Sequence, residues 1–483
     1  MNKFLQLESY KATGVEYQLL PFRFTELDAT RYVMSNIAGE FVTLPREILP
    51  KLINHQLRED DPTYVHLRAK QFLIDNSSSI AKDLLAIKVR SRYERLADFT
   101  SLHIFVVTLR CEHSCLYCQV SRQSEDKVKF DMTQVDALAA LQLVFRSPSP
   151  TIKIEFQGGE PLLNFPLIQL IVSEAKQRNP GKKLDFVIAT NLALIDSEIL
   201  EFCRQHDVLI STSLDGPRDL HNANRPRRGH NSYEKTVEGI RVARHYLGRD
   251  RVSALMTTTD ASLNRVRDII DEYLTQEFDG IFLRPLSPYG FAIKTKSYTK
   301  YSTDRWLEFY KAGLDYIISL NKQGISFTEY FASTILAKMF SSRDPGYVDL
   351  MSPAGIGIAA AVYNYDGSVY ASDESRMLAE MGDQHFRIGH VGQDYKDIFL
   401  SPNLLEPLED SFAESAPMCT DCAFLPYCGA DPVVHWALYK DHVGRKPESE
   451  FCRRNMAIFR DLITRMEEDV FTKRLFLKWA NRC

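Results

Sequence analysis

The sequence predicts an α/β fold: an incomplete parallel (β/α)6 barrel, a small N-terminal α+β module and a C-terminal cysteine-rich extension. Three observations carry this. From Leu102 to about residue 285, apolar runs of strand length alternate with amphipathic helices, the pattern of a parallel sheet with right-handed crossovers. The polar peculiarities of that region fall directly after the strands. Finally, the nine cysteines gather as three at 111–118 and four at 419–452, with Cys203 and Cys483 apart.

At 483 residues the chain exceeds one typical domain. The expected segments are 1–98, an accessory module; 99–300, the barrel; 301–345, a helical bridge; and 346–483, the cysteine-rich part with a C-terminal helix. A formal net charge of −4 argues against a general nucleic-acid binder. Met1 to Tyr17 has no continuous apolar core, so neither a signal peptide nor a spanning helix is expected, and the expected location is the cytoplasm. There, clustered cysteines point to metal or redox chemistry before disulfides.

In order, 32–44 reads as two short strands around Gly39. Helices follow after Pro45 and from Pro62 to Ile74. This outline is similar to winged-helix peptide-recognition modules, and a packing collar over the barrel is the equal alternative. Barrel strands read at 102–109, 151–156, 184–189, 208–213, 252–258 and 280–285. Helices lie near 133–146, 166–178, 197–205, 232–247 and 263–277, the first with a start signal at Asp131. Six units fall short of the closed eight-stranded form. Cys203 lies in an apolar run and reads as core. Thr303 to Asn321 is a long helix with a core stripe from Trp306 to Ile318.

After the strands come, in turn, the cysteine stretch, Gln157-Gly158-Gly159-Glu160-Pro161, Thr190-Asn191, Asp215-Gly216-Pro217 and Arg284-Pro285. In barrels of this topology these positions share one rim, where active sites sit. Cys111, Cys115 and Cys118, spaced C-x3-C-x2-C, can hold three irons of a cuboidal cluster and leave the fourth open.

With Tyr117 inside it, this motif resembles the signature of the radical S-adenosylmethionine (radical SAM) superfamily. The resemblance implies that the open iron binds the cofactor's methionine moiety and that one electron yields a 5′-deoxyadenosyl radical. The cofactor carries the chemistry and the protein supplies binding and orientation. Gly158, Gly159 and Glu160 then match the motif that receives the methionine amino group. Ser213 and Arg225 match contacts to ribose and carboxylate, Tyr117 the aromatic near adenine, and Thr190 and Asn191 the ribose side. Arg227 and Arg228 read as a solvated basic loop.

Cys419, Cys422, Cys428 and Cys452 form a complete four-thiolate set, suited on spacing alone to an auxiliary [4Fe–4S] cluster or to structural zinc. Similarity to the SPASM extension of radical SAM peptide maturases favours the cluster. That extension in full form has seven cysteines and two auxiliary clusters. Here the other three positions are Ser352, Ser372 and Pro432, and all three belong to one cluster, so a single auxiliary cluster is expected. Asp373 stands where some relatives carry a substrate-deprotonating aspartate; a surface carboxylate beside Glu374 is the other reading.

Stretches such as Leu20-Pro21-Phe22-Arg23-Phe24, Leu283 to Phe291 and Cys428 to Pro432 resemble the His-Xaa-Ser system radical SAM maturases of the HxsB type. This implies modification of a ribosomally made precursor peptide, a second radical SAM maturase encoded nearby and a reductant such as flavodoxin or ferredoxin. A sulfatase-maturase-like Cys or Ser oxidase forming formylglycine, or a thioether or carbon–carbon crosslinker, is the alternative within the class. A zinc-stabilised peptide-binding scaffold is the alternative outside it.

Overall fold

A computed structural model describes residues 17–76, 79–294, 301–341 and 344–482. The readings of residues 1–16 and of Cys483 fall outside them.

The parallel strands are β1 (Leu102–Thr108), β2 (Thr151–Gly158), β3 (Lys183–Ala189), β4 (Val208–Ser213) and β5 (Val252–Leu255). Three more join the same sheet: β6 (Ala360–Tyr363), β7 (Ser368–Tyr370) and β8 (Arg387–His390). Sheet order is β5-β4-β3-β2-β1-β6-β7-β8. β6 lies parallel to β1, with Ala360 opposite Leu102, whereas β7 and β8 are antiparallel. The sheet therefore crosses the sequence-expected junction at 345/346. β1 is buried on both faces: Phe105 and Val107 pack under the helix Gln134–Arg146, and Ile104 and Val106 against Val362 and Tyr370. That is why its apolar run is continuous rather than alternating. Crossover helices occupy Phe165–Arg178, Ser197–His206, Ser232–Leu247 and Val266–Thr275.

Two local expectations change. The sixth strand shrinks to Gly280–Ile281 and pairs with Thr328–Glu329 instead of β5. Thr258 links the following segment to the β5 end, its N and Oγ1 donating to Arg284 O at 3.1 and 2.7 Å. Pro285 and Pro288 lack the N–H that a ladder needs. At the first helix Thr133, not Asp131, is the cap, its hydroxyl accepting from Asp136 N at 3.1 Å. Asp131 is taken instead by Arg110, Nε to Oδ1 at 2.6 Å and Nη2 to Oδ2 at 2.8 Å.

The N-terminal module is a three-stranded antiparallel sheet, Phe22–Glu26, Arg31–Asn36 and Phe41–Pro45. The second helix stops at Ala69, short of the expected Ile74; Gln71 turns to a φ of 56° and Leu73–Asp75 pairs with Tyr17–Leu19. Alternation gives the sheet two buried faces. Met34, Val42 and Leu44 fill the module's own core, while Val33 joins the main core. Ser35 Oγ donates to Ala423 O at 2.6 Å, and Thr25 Oγ1 accepts from Ala423 N at 3.1 Å.

Candidate active site and metal centres

The loop after β1 is fixed from three sides. Arg110, 5% exposed, is forked on Asp131 and also donates to Leu163 O at 2.8 Å. The Gly-Gly-Glu turn continues the β1–β2 ladder, with Gly159 N donating to Thr108 O and Glu160 N to Arg110 O, each at 2.8 Å. On the far side Ser114 N donates to Pro226 O at 2.7 Å, and His113 bridges Arg227. Arg227 is thus half-buried and structural, contrary to the solvated-loop expectation, while Arg228 is exposed.

The glycines serve this loop. A Cβ on Gly158, at φ +141°, would lie 1.9 Å from Thr108 O, and one on Gly159 would lie 2.2 Å from Arg110 O. The close approach that requires glycine is therefore to the backbone entering the cysteine loop.

One cleft is lined by Cys111, Cys115, Cys118, Tyr117, Gly158, Gly159, Thr190, Asn191, Ser213, Arg225 and Asp373. The structure thus brings the sequence-nominated cofactor residues and Asp373 together, except Glu160. Glu160 is fully buried behind the wall, accepting from Thr190 Oγ1 at 2.6 Å, Asn191 N at 2.9 Å and Leu162 N at 3.1 Å. Burial, then the charge of Glu112, raises its carboxyl above the ordinary range. Asn191 Nδ2 also donates to Glu112 Oε1 at 2.9 Å, so this turn is held by two carboxylates.

Arg225 does not face the cleft unpaired. Its Nε donates to Asp215 Oδ2 at 2.9 Å and its Nη2 to Oδ1 at 3.1 Å. Tyr117 OH donates to the same Oδ2 at 2.6 Å, and the guanidinium carbon sits 5.4 Å from the Tyr117 ring centre. Burial works to raise the Asp215 carboxyl; Arg225 and His221 outweigh it, so it lies below the usual range. Sequence reasoning gave Asp215 no role, although a carboxylate directly after a rim strand was the available signal. It likewise passed over Glu155 and Arg122 in the same cleft. Asp373 is 18% exposed and accepts from Arg376 Nε at 3.2 Å; it belongs to the cleft, not to the outer surface.

The donor chemistry fits cuboidal clusters. Burial pushes the Cys115 thiol up to about 12 and Cys111 well above the ordinary range, so these thiols ionise when a metal supplies the compensating charge. Cys419, Cys422, Cys428 and Cys452 feel one another electrostatically. Among the described residues, the ligand-type trio within 4.8 Å is Cys111, Glu112 and His113. The Cys111 trio is a hydrogen-bond chain, Glu112 Oε1 meeting His113 Nδ1 at 2.9 Å.

The three positions without thiols have other work. Ser372 caps the helix Asp373–Ala379 through a capping box, and Pro432 opens the helix Pro432–Tyr439. Ser352 Oγ donates to Glu414 at 2.5 Å and accepts from Ala413 N at 3.0 Å. The small cavity between Ser372 and Pro432 is lined by Asp349, Glu374 and Asp431, with no cysteine among its described lining residues.

The radical SAM superfamily model matches residues 105–272, the stretch that holds β1 to β5 and the first cysteine loop. An uncharacterised protein of Methanothermobacter thermautotrophicus is 31% identical over 178 residues, 36% of this chain and 64% of that relative, so the chain spans under two thirds of its length. A cysteine-type anaerobic sulfatase-maturating enzyme of Clostridium perfringens is 24% identical over 348 residues, 68% of this chain and 87% of that enzyme. Among solved structures, anSMEcpe with bound AdoMet and Kp18Cys peptide aligns with a TM-score of 0.63 and 18% identity, covering 80% of this chain and 99% of that one; this likeness concerns the fold. Among the described residues no helix is long and apolar enough to cross a membrane.

Proposed function

We propose that this chain is a radical SAM peptide maturase with one auxiliary [4Fe–4S] cluster, acting in the cytoplasm on a ribosomally made precursor of the His-Xaa-Ser type. The observation that carries the reading is the single cleft in which three cysteines of the β1 loop meet Gly158, Gly159, Ser213 and Arg225. The sulfatase-maturase relative and the peptide-bound neighbour support a peptide as the substrate class.

Cys111, Cys115 and Cys118 would hold the first cluster, and Cys419, Cys422, Cys428 and Cys452 the auxiliary one. When bound, these groups with S-adenosylmethionine supply hydrogen-abstracting radical chemistry and an electron acceptor. The chain's own residues do the rest. Tyr117 is held by Asp215 as a fixed wall for an adenine ring, while Arg225, anchored on the same carboxylate, offers its remaining N–H groups to the cofactor carboxylate. Among the described residues Glu160 is a buried carboxyl without an ion-pair partner, and an ammonium is the charge that would ionise it. Ser213, Thr190 and Asn191 form the ribose side. Asp373, oriented by Arg376, would take the substrate proton.

Anaerobically reconstituted protein should release 5′-deoxyadenosine with dithionite. Cys115→Ala should abolish that release, whereas Cys428→Ala should spare it and stop modification of a co-produced His-Xaa-Ser peptide, read by mass spectrometry as loss of two hydrogens. A colourless, zinc-loaded protein would instead favour the binding-scaffold reading.

A further inference from the structure

A second cavity adjoins the cofactor cleft, and Arg284 stands in the wall of both. Neighbours on the helix Asp373–Ala379 divide in the same way: Asp373 lines the cofactor cleft and Glu374 the second cavity. Three carboxylates, Asp349, Glu374 and Asp431, line this cavity and also the small one at Ser372 and Pro432. Asp431 gives one oxygen to Val434 N at 3.0 Å. Among the described residues none of the three has an ion-pair partner; Arg284 acts on Glu374, and Arg454 and Lys446 on Asp431, by charge at a distance. Glu450 and Arg453, also in the wall, pair with each other. Burial, then the charge of Asp349, raises the Glu374 and Asp431 carboxyls above the ordinary range. A cation among the three would relieve the repulsion that contributes to this.

Two buried polar groups in the same wall point to a ligand independently of charge. Trp306 is fully buried, and its Nε1–H, which can only donate, has no hydrogen-bond partner. Asn455, from the helix Glu450–Glu468, is 1% exposed. Its Nδ2 is committed to Cys428 Sγ at 3.6 Å, which leaves Oδ1 as an acceptor without a partner. Buried polar groups are nearly always paired. One orphan donor and one orphan acceptor lining a single cavity are what a peptide backbone satisfies, its carbonyl taking the indole N–H and its N–H the amide oxygen.

We propose that this cavity seats a basic residue of the substrate peptide: its ammonium, guanidinium or imidazolium group lies among Asp349, Glu374 and Asp431, and the peptide backbone pairs with Trp306 and Asn455. This deepens the maturase reading above and rests on a peptide as the substrate. Because Arg284 and the Asp373–Glu374 pair border both cavities, a peptide anchored here presents its neighbouring residues to the cofactor cleft.

The test uses the full, anaerobically reconstituted chain with S-adenosylmethionine. Fluorescein-labelled peptides Gly-Ser-Gly-Xaa-Gly-Ser-Gly, with lysine, arginine, histidine or norleucine at Xaa, are titrated by fluorescence anisotropy, and dithionite-driven release of 5′-deoxyadenosine is measured on the same protein. The tightest of the three basic peptides should bind about tenfold more tightly than the norleucine peptide, the worth of one charge-assisted contact. Glu374→Gln and Asp349→Asn should each remove most of that preference and leave 5′-deoxyadenosine release unchanged, since neither residue lines the cofactor cleft. Trp306→Phe should weaken all four peptides by a similar factor; a folded variant with unchanged affinities would overturn the backbone pairing. Equal affinity for basic and norleucine peptides in a chain that releases 5′-deoxyadenosine, or a preference that persists in the carboxylate variants, would overturn this proposal alone. Should one carboxylate variant fail to fold, the other decides. A chain that releases no 5′-deoxyadenosine yet keeps a preference sensitive to Glu374 would overturn the radical SAM reading and leave the basic-residue site standing; one that shows neither would overturn both.

Discussion

Arg225 and Asp215 form a buried, two-pronged ion pair at the base of the cofactor cleft, with Nε–Oδ2 at 2.9 Å and Nη2–Oδ1 at 3.1 Å, and Asp215 fully buried. Tyr117 completes the unit by donating to the same carboxylate. Removing one charge from such a pair leaves the other desolvated and unpaired, at a cost of about 3 kcal/mol. Asp215→Asn should therefore lower the melting temperature and weaken S-adenosylmethionine binding by calorimetry, since Arg225 and Tyr117 lose the group that orients them. Arg225→Lys should also weaken binding, because an ammonium cannot span both carboxylate oxygens.

The two glycines after β2 give a steric prediction. Gly159→Ala places a methyl group 2.2 Å from Arg110 O, which must shift the backbone leading into Cys111. Overpacking of this kind costs about 3 kcal/mol. The variant should show lower thermal stability and reduced iron at the first site, measured with the four auxiliary cysteines replaced; iron at the auxiliary site, measured separately, should be unchanged.

His221 supplies a pH dependence. It is fully buried, its Nδ1 accepting from Asp215 N at 3.3 Å and its Nε2 meeting Ser232 Oγ at 3.1 Å. Burial holds its imidazole down at about 4, against an ordinary 6.5. The folded state thus binds fewer protons than the unfolded chain between these values. Its contribution is intact above about pH 6.5 and is lost as pH falls towards 4, by a total on the order of 3 kcal/mol. Thermal unfolding at pH 7 and pH 5 should show a steeper acid decline for the parent than for His221→Asn. Taking the difference removes the opposing slope of buried carboxyls such as Glu160 and Glu374, whose raised values favour the folded state as pH falls.

The barrel was readable because β1 to β4 are apolar runs of strand length, continuous in β1 and alternating in β2 and β4, each closed by a polar motif. The rule that such motifs share a rim placed Cys111, Gly158 and Thr190 on one cleft without coordinates, and the family resemblance added Ser213 and Arg225. β6 was not readable: Ala-Ala-Val-Tyr is four residues long, and its strand character comes from the open edge of β1. Local chemistry pointed to Asp131 as the start of the first helix, and only the demand of buried Arg110 for a carboxylate takes it away and leaves the cap to Thr133. The docking of Thr25 and Ser35 on Ala423 joins groups nearly 400 positions apart, 398 and 388 residues, beyond the reach of any periodicity.

The Arg110–Asp131 fork gives the last prediction. Arg110 directly precedes Cys111, and Asp131 holds it with both oxygens while also accepting from Thr108 Oγ1 at 2.6 Å. With side-chain exposures of 5% and 17%, the pair is largely removed from solvent screening. Asp131→Asn keeps the shape but deletes the charge, leaving a buried guanidinium to satisfy itself by moving, at about 3 kcal/mol. Because Arg110 carries the backbone into the cysteine loop, that movement should appear as loss of iron from the first site before global unfolding. Iron per chain should fall while far-UV circular dichroism is retained, and the auxiliary cluster's EPR signal should persist. The helix starting at Gln134 should be unaffected, because Thr133 caps it; if Asp131 were the cap, the same substitution would leave the iron in place and destabilise that helix instead.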